Sequence, residues 1–488
     1  MAVLAAVVAA MTVLRVGITV ADLDLWGHVR FGQDKIRFGG YLSTDTYSYV
    51  TEGQRWFNHE WLSEVVMAAV YQARGAYGLA ALKAAIAVGV VAFLFWWLVR
   101  DGLHPVRVAV VMLVGVVVLI PTLGTFRPQL FTLVAFTALV AVIRKVEGGD
   151  RRWLLALPLL FAMWVNLHGG VLAGIAVLGT WALLYVFTVR DRTRWWPVAG
   201  LLGSVLALGL NPNGLAHLLF LVRTTTVDRP EIVEWRPVDL TSGVGLAYIG
   251  LAVAVLAALW VDRRNLQVRF ALPLIALVVA PLLAMRHLQV MVPAAVVLGG
   301  THLAVLGTKQ KPERGSVPKA PVLISAALVL AGYLSWSYID RPEGCIRIKP
   351  AQFEFPVRAV DALKRSGVEG RAVVPFNWGE YVIWHLGPRV QVSIDGRRET
   401  VYSPEVLAAN LDFEAGRGEW DRVFDFGVPD LVLLPAGSGG AALMRLENDW
   451  VLAYEDALAA VFVRAGSELP LTGDPGLPVD GDGLCFPG

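Results

Sequence analysis

The chain has 488 residues, of which 56% are hydrophobic and 17% are charged, and its mean hydropathy is +0.58. Soluble domains carry about 25% charged residues, so the composition excludes an ordinary soluble protein and indicates that the bilayer is the main solvent. The net charge of +2, with basic residues in short loops between apolar runs, argues against a nucleic-acid partner.

Apolar runs approaching the roughly 20 residues that cross a hydrocarbon core predict eleven transmembrane helices. The third run is short and ends at Pro121, and only Gly169 and Gly170 separate the fifth run from the sixth. The first run lacks a basic region and a cleavage site, which favours a retained helix over a signal peptide. The predicted spans are residues 3–20, 77–99, 107–121, 128–143, 152–166, 170–188, 196–211, 244–261, 270–285, 289–307 and 320–338.

Lysine and arginine predict the sidedness of these spans, because cytoplasmic loops carry an excess of both. Alternate loops are basic, which predicts a cytoplasmic N-terminus and places three segments outside: the loops 21–60 and 212–243 and an amphipathic stretch at 61–73. The basic loops contain Arg100 and Arg107; Arg144, Lys145, Arg151 and Arg152; Arg190, Arg192 and Arg194; Arg263, Arg264 and Arg269; and Lys309, Lys311, Arg314 and Lys319.

After Asp340 the composition becomes that of a globular protein. β-rich runs alternate with helical patterns, which predicts a small extracytoplasmic α/β domain over residues 341–469, following a transmembrane domain over 1–340. The tail 470–488, rich in Gly, Pro and Asp, is predicted to be disordered. The fold class is therefore an α-helical polytopic membrane protein with a small α/β C-terminal domain. The predicted strands are 372–376, 390–394, 431–434 and 459–463.

The only two cysteines, Cys345 and Cys485, both lie in this C-terminal part. Two cysteines exclude a cysteine metal cluster and allow one disulfide. The sequence leaves open whether that disulfide forms, because spacing does not give the required geometry.

Two carboxylates stand at the outer end of the first predicted span, in the segment DLDLWGH (22–28). Ionisable residues near membrane depth are costly and are therefore functional candidates. Asp22 and Asp24 could hold a divalent cation such as Mg or Mn, or one of them could be a general base. The alternative is that both only end the helix at the interface, with Trp26 in an aromatic belt.

A second polar group lies in the segment WFNHEWLSE (56–64). His59 and Glu60 match the start of the H-E-x-x-H zinc signature, but Ser63 stands where its second histidine would be, which argues against a zinc protease. The alternative is an amphipathic interfacial helix, with tryptophans at headgroup depth and polar residues in water. His59 and Glu60 are candidates for contact with substrate, with a role in loop folding as the alternative.

Several cations lie at predicted outer membrane ends, against the positive-inside bias. Cations kept in such places suggest an anionic ligand such as a phosphate at the membrane surface. Snorkelling and ion pairs between loops are the alternative. These residues are Arg127, His168, Arg223, Arg229, Arg286 and His287.

The C-terminal domain adds two polar segments, NWGEY (377–381) and SIDGRRE (393–399). A loop of this polarity after a strand is a common ligand position, although Asp395-Gly396 is equally a turn signal. The segment GSGG (437–440) is not interpreted as a nucleotide site, because the spacing of a dinucleotide fingerprint is not met.

The whole pattern resembles the GT-C superfamily of integral membrane glycosyltransferases. The resemblance is carried by DLDLWGH (22–28), STDTYS (43–48), WFNHEWLSE (56–64), WVNLHGG (164–170) and IDGR (394–397). It implies transfer of a sugar from a polyprenyl phosphate or diphosphate lipid to an acceptor on the outer face. The sugar-carrying lipid supplies the driving force, so no nucleotide is implied.

The resemblance also assigns roles to residues. The acidic residue of the first outer loop activates the acceptor hydroxyl, which corresponds to Asp22 or Asp24, with Asp24 favoured by position. The lipid phosphate would be held by the cations Arg127, His168, Arg223 and Arg286. No second acidic motif stands out in the second outer loop, and Asp45 in the first is the nearest extra carboxylate. The metal question therefore stays open.

The sequence thus predicts a glycosyltransferase of a bacterial cell membrane, acting on a glycan, lipid or protein acceptor. Its richness in Gly, Ala, Val and Arg suggests a GC-rich bacterial genome. The main alternative is a protein without enzymatic activity, either a transporter or a cell-envelope assembly factor. A transporter should show charged residues at the midplane and broken helices. Another alternative is a different envelope-lipid enzyme, such as an O-antigen ligase or polymerase.

Overall fold

The protein folds into two compact units that are discontinuous in sequence. The helical unit comprises Met1–Thr19 and Tyr77–Gly344, and the mixed unit comprises Val20–Ala76 and Cys345–Gly488. The first predicted outer loop therefore forms one unit with the C-terminal residues. A single boundary at residue 340 would assign the two segments to different domains. The structure, a computed structural model, describes residues 1–17, 19–225, 227, 229, 232–306, 319–340, 345–348, 354–467, 469, 471–481 and 483–488.

Each of the eleven predicted spans contains at least one α-helix of the helical unit. Within the described residues, six helices are long and apolar enough to cross a membrane, so the number eleven stays a prediction. α3 starts in the mixed unit and has a non-helical residue at Gly75 (φ 58°). The helices are α1 (Ala2–Val16), α3 (Trp61–Arg100), α4 (Pro105–Val118), α5 (Ile120–Leu123), α6 (Gln129–Glu147), α7 (Ala156–Leu167), α8 (Val171–Thr188), α9 (Trp196–Ala207), α10 (Leu215–Thr224), α11 (Gly243–Val261), α12 (Val268–Val279), α13 (Leu288–Val297), α14 (Gly300–Val305) and α15 (Ala320–Asp340).

Ion pairs connect helices of this unit where charges are buried. Arg144 on α6 contacts Asp101 at 3.0 Å, and Glu147 on the same helix contacts Arg269 of α12 at 2.9 Å. Buried charges are found where partners neutralise them, so these pairs fix how α6 packs. Large apolar side chains remain exposed elsewhere on the unit, as Phe187 and Leu206 do at 75% and 78%, which suits a surface solvated by lipid.

The mixed unit is built on a five-stranded sheet of order β2-β1-β3-β5-β4. β1 pairs in parallel with β2 and β3, whereas β5 pairs antiparallel with β3 and β4. Four strands match the predicted ones, and the small α/β domain is confirmed. The elements are α2 (Leu25–Phe38), α16 (Val357–Ser366), β1 (Gly370–Val373), α17 (Gly379–Leu386), β2 (Val390–Val392), α18 (Pro404–Ala415), β3 (Leu431–Pro435), α19 (Gly439–Met444), β4 (Trp450–Glu455) and β5 (Ala459–Arg464).

The first outer loop joins this sheet along β2. Val392 donates its N–H to the Tyr47 carbonyl at 3.1 Å, and its own carbonyl accepts the Tyr49 N–H at 3.2 Å. These bonds add residues 47–49 as a parallel segment beyond the edge strand. Edge strands carry unpaired backbone groups that must be satisfied, so this pairing fixes the loop on the sheet.

A buried guanidinium ties the same loop to the segment after β2. Arg397 binds both carboxylate oxygens of Asp395 (2.8 and 2.7 Å) and one oxygen of Asp45 (2.6 Å). Its guanidinium also lies 4.8 Å from the ring centre of Trp56 and 5.1 Å from that of Tyr47. Burial of a charge is tolerated because the two carboxylates and the rings replace water.

The C-terminal tail is also tied to this unit. Cys485 forms a disulfide with Cys345, with 5.0 Å between their Cα atoms, and Trp26 donates its indole N–H to the Pro487 carbonyl at 2.8 Å. The described tail residues, predicted to be disordered, thus have specific contacts. Disulfides form in oxidising compartments, which agrees with the predicted extracytoplasmic location of this part of the chain.

We predict that Arg397→Met destabilises the mixed unit by about 3 to 5 kcal/mol, because it leaves the buried Asp45 and Asp395 without a countercharge. Denaturant unfolding of the purified full-length protein measures this loss. The matched control is Arg422→Met, which removes a half-exposed partner of Glu419 and should change stability by less than about 0.5 kcal/mol. Equal effects of the two variants would contradict the role given to Arg397.

Candidate active site

Asp22 and Asp24 lie at the start of α2 in the mixed unit, where they differ in exposure. Asp22 is buried, and one of its carboxylate oxygens accepts the Asp24 N–H at 3.1 Å. Asp24 is the N-cap residue of α2 and is half-buried. Asp22 therefore shapes the turn, whereas Asp24 is the more accessible of the two carboxylates to a reacting group.

A third carboxylate, Glu380 of α17, lies beside Asp24. Glu380 Oε2 accepts the Gly27 N–H at 3.0 Å. A Cβ placed on Gly396 would lie 2.6 Å from Asp24 Oδ1 and 2.7 Å from Glu380 Oε1. Both carboxylates therefore border the same point of the Asp395-Gly396 turn.

Burial and neighbouring charges favour the protonated form of Glu380. Its side chain is 4% exposed, and burial raises its pKa well above the usual range of a carboxyl group. The charges of Asp24 and Asp395 raise the pKa further, while Arg397 lowers it. A neutral carboxylic acid and an ionised carboxylate are the standard arrangement of an acid–base pair.

Glu380 was not among the site residues predicted from the sequence. The glycines of these segments could have indicated it, because they allow a close approach of the chain. A Cβ on Gly27 would lie 2.2 Å from Glu380 Oε2, and a Cβ on Gly379 would lie 2.1 Å from the Ile394 carbonyl oxygen. The sequence left both NWGEY (377–381) and SIDGRRE (393–399) open as possible ligand positions, with a turn as the alternative at Asp395-Gly396. Glu380 was not singled out, because the close packing of these segments appears only in three dimensions.

A second charged cluster surrounds His28 on the same helix. His28 lies 3.9 Å from Glu60 and 3.7 Å from Glu64, and Lys35 binds Glu64 at 2.6 Å. Burial alone would lower the pKa of His28, but interactions with Glu64, Glu60 and Asp24 outweigh it and raise the pKa to about 8. His28 is therefore largely protonated at neutral pH and adds positive charge near Asp24.

His59 and Glu60 lie at the edge of this cluster, where α3 begins. His59 Nε2 is 3.4 Å from Glu60 Oε1, and Glu60 donates its N–H to the Asn58 side chain at 3.0 Å. Burial would lower the pKa of His59, but the Glu60 charge outweighs it and raises the pKa. Their contacts explain how this loop folds, while substrate contact stays a prediction for both.

The tryptophans of these segments are core residues rather than members of an aromatic belt. Trp26 is 0% exposed and packs against Phe355, Tyr381 and Phe486. Trp56 is 1% exposed, within reach of the Arg397 guanidinium. The interfacial interpretation is therefore wrong for both. The sequence alone could not decide this, because tryptophans at a bilayer surface and in a protein core give the same sequence pattern.

Cations of the helical unit gather around Glu234 and Trp235. Arg127 binds Glu234 at 3.2 Å, and the guanidinium groups of Arg229 and Arg286 lie 4.1 and 4.3 Å from the ring centre of Trp235. Three arginines that are distant in sequence thus share one location. A guanidinium stacked on an indole directs its N–H donors outward in its own plane, in a geometry that suits a phosphate.

The other predicted cations of this unit have different surroundings. His168 is buried, and its Nδ1 lies 2.8 Å from Thr132 Oγ1 and accepts the Gly170 N–H at 3.0 Å. It therefore shapes the turn between α7 and α8. His287 Nδ1 lies 3.1 Å from the Ala280 carbonyl in a similar local turn, and Arg223 lies in the last turn of α10.

Lys83 is a buried cation of α3 that the sequence analysis did not single out. Its side chain is 0% exposed, and its ammonium donates to the Gly124 carbonyl at 3.1 Å. Gly124 is three residues before Arg127 in the chain. A lysine within an apolar helix is costly and marks a functional candidate, and Lys83 lies inside the predicted span 77–99.

A divalent cation at Asp22 and Asp24 was one of the alternatives raised by the sequence. Among the described residues, no group of three or more His, Cys, Asp or Glu side chains is placed to hold a metal ion. One Asp22 oxygen already accepts a backbone N–H. These residues do not form a metal-binding set of the usual kind, so no step is assigned to a metal.

We predict that His28 makes stability depend on pH. The rise in the pKa of His28 from 6.5 to about 8 adds about 2 kcal/mol to the free energy of unfolding. This contribution is present in full below pH 6.5 and is lost as pH rises through 8. Denaturant unfolding of the wild type and His28→Gln at several pH values measures this contribution. The difference between the two proteins should shrink across this interval, and a difference independent of pH would contradict the assignment.

The sequence matches no protein-family model and no curated protein, but the fold resembles solved structures. ArnT from Cupriavidus metallidurans bound to undecaprenyl phosphate has 11% identity and a TM-score of 0.51, covering 95% of this chain and 98% of that one. Its apo state has 13% identity and the same TM-score, covering 94% and 97%. An Archaeoglobus fulgidus oligosaccharyltransferase tethered to an acceptor peptide has 12% identity and a TM-score of 0.54, covering 97% and 75%.

These similarities extend over nearly the whole chain and are not confined to a shared fragment. Both neighbours are GT-C glycosyltransferases. At such low identity the likeness establishes the fold, which agrees with the resemblance seen in the sequence. The chain is a multi-pass membrane protein whose fold is similar to those of ArnT and of this oligosaccharyltransferase.

Proposed function

We propose that the protein transfers a sugar from a polyprenyl-phosphate-type lipid to an acceptor hydroxyl on the outer face of a bacterial cell membrane. The observation that carries this proposal is the half-buried Asp24 beside the buried Glu380, in a chain with the GT-C fold. The undecaprenyl phosphate bound to ArnT and the acceptor peptide tethered to the oligosaccharyltransferase support a lipid donor and a separate acceptor.

In this reaction Asp24 is the general base. Its carboxylate accepts the proton of the acceptor hydroxyl while the hydroxyl oxygen bonds to the anomeric carbon of the sugar. The bond from that carbon to the phosphate oxygen breaks, and the polyprenyl phosphate leaves with the bonding electrons. A positioned base contributes about 10² to 10⁴ in rate.

The departing phosphate requires positive charge, for which the helical unit offers candidates. Arg286 lies over the Trp235 ring, and Lys83 is a buried lysine. Arg229 lies over the same ring, but its guanidinium already donates to the Thr224 and Val227 carbonyls. Donors fixed before the reaction stabilise the developing charge without the cost of reorienting solvent. We favour Arg286 over His168, because the ring nitrogen Nδ1 of His168 is already engaged in its own turn.

The transporter and assembly-factor interpretations have less support. A transporter is expected to carry paired broken helices around a midplane site, whereas the Asp24 and Glu380 carboxylates and the arginines around Trp235 lie in loops and at helix ends. An assembly factor has no need for a protonated carboxyl group beside an ionised one. Transfer of labelled sugar by the purified protein separates these interpretations from the enzymatic one.

We predict that Asp24→Asn lowers sugar transfer at least about 100-fold, since it removes the base and nearly preserves the shape of the side chain. The assay follows label from radiolabelled polyprenyl-phosphate sugars in membranes containing purified protein. The control is Asp412→Asn, a half-buried aspartate on α18, which should transfer at the wild-type rate. Wild-type transfer by Asp24→Asn would remove the proposed base.

We predict that Arg286→Gln raises KM for the lipid donor about 10-fold, because it deletes a charge-assisted hydrogen bond to phosphate. Initial rates against donor concentration measure this effect. The control is Arg264→Gln, which changes an exposed arginine of a predicted cytoplasmic loop and should leave KM unchanged. An unchanged KM in Arg286→Gln would assign Arg286 to folding instead.

A further inference from the structure

We propose that Glu380 is a positioning residue for Asp24: it keeps a proton beside the Asp24 carboxylate at the start of α2. The inference rests on the proposed function, in which Asp24 is the base. It gives the C-terminal part of the chain a direct role in the chemistry, because Glu380 belongs to α17 whereas Asp24 belongs to the first outer loop.

The geometry assigns a different task to each oxygen of Glu380. Oε2 accepts the Gly27 N–H at 3.0 Å, which anchors the carboxyl group to the first turn of α2. Oε1 lies 2.7 Å from the position that a Cβ on Gly396 would occupy, and Asp24 Oδ1 lies 2.6 Å from the same position. The two oxygens therefore cannot be further apart than those two distances combined, and Oε1 is the oxygen that can carry a proton toward Asp24.

Electrostatics decides which carboxyl group holds the proton. Two carboxylates at short range do not both ionise readily. Glu380 is 4% exposed, whereas Asp24 is half-buried, so water stabilises a negative charge better on Asp24. The pKa of Glu380, raised well above its usual range by burial and by the charge of Asp24, agrees with this assignment.

Other charges near Glu380 do not change which carboxyl group holds the proton. Asp395 and Asp22 both add negative potential and favour the protonated form. Arg397 is the opposing cation, but its guanidinium already binds Asp395 and Asp45. His28 acts on the other member of the pair, since Asp24 contributes to its raised pKa.

A pair that shares one proton has a characteristic dependence on pH. The singly protonated pair is the active form, with Asp24 as carboxylate and Glu380 as acid. Transfer should fall at high pH as Glu380 loses its proton. The apparent pKa of this fall belongs to the pair as a whole.

The test compares pH profiles of kcat for the full-length wild type and variants of Glu380. Glu380→Gln keeps the size and a neutral hydrogen-bond donor, so it should remain active near neutral pH and lose the alkaline fall in rate. Glu380→Leu removes the donor and should lower kcat about 100-fold with KM for the lipid unchanged. The control, Glu414→Gln, changes a half-buried glutamate of α18 and should keep the wild-type profile.

A second measurement does not depend on activity. The infrared C=O stretching band of a protonated carboxylic acid should be present in the wild type near neutral pH and should be diminished in Glu380→Gln but not in Glu414→Gln. A band that is the same in all three proteins would show that Glu380 is not the proton carrier and would overturn the inference.

The outcomes separate failure of the inference from failure of the proposed function. If no donor supports transfer by the wild type, the proposed function fails, while the infrared band still decides the protonation of Glu380. If the wild type transfers sugar but its alkaline fall is absent, or is retained in Glu380→Gln, the inference is overturned and Asp24 remains the base. Loss of the band in Glu380→Gln together with loss of the alkaline fall supports the inference.

Discussion

The mixed unit depends on burial of the Arg397 guanidinium between Asp45 and Asp395. One carboxylate comes from the first outer loop and the other from the segment after β2, so the guanidinium joins distant parts of the chain, with 352 positions between Arg397 and Asp45. A buried charge tolerates little displacement. The ion pairs therefore fix the turn at Gly396, and that turn determines where Glu380 and Asp24 meet.

From this constraint the chemistry follows in order. The turn after β2 borders the N-terminus of α2, where Asp24 is half-buried and Asp22 is engaged in backbone contacts. Glu380 enters the same place from α17 and is shielded from water. Burial favours the neutral form of Glu380, and differences in environment of this kind are how a fold separates acid from base at a single pH. The proposed catalysis thus depends on packing between residues that lie far apart in the sequence.

Sequence reasoning predicted those parts of the fold that local patterns determine. Apolar periodicity located a helix in each of the eleven predicted spans, and four of the five strands were predicted because they are buried, as Leu431–Pro435 is. β4 (Trp450–Glu455) was missed although residues 450–454 are an apolar run; it is an edge strand whose side chains are largely exposed. Asp22 and Asp24 were found because paired carboxylates are costly near membrane depth. Glu380 was not singled out, since its burial comes from tertiary contacts that no local pattern encodes. Lys83 was not singled out either, although it lies inside the predicted span 77–99.

The central claim is that Asp24 acts in the chemical step and does not hold the lipid donor. The most direct test measures binding and transfer separately on one preparation of the full-length protein, using a polyprenyl-phosphate sugar as ligand and a single turnover for the chemistry. The account predicts that Asp24→Asn binds the donor with wild-type affinity and forms no product on the wild-type time scale. Weakened donor binding with normal transfer from the bound donor would contradict it.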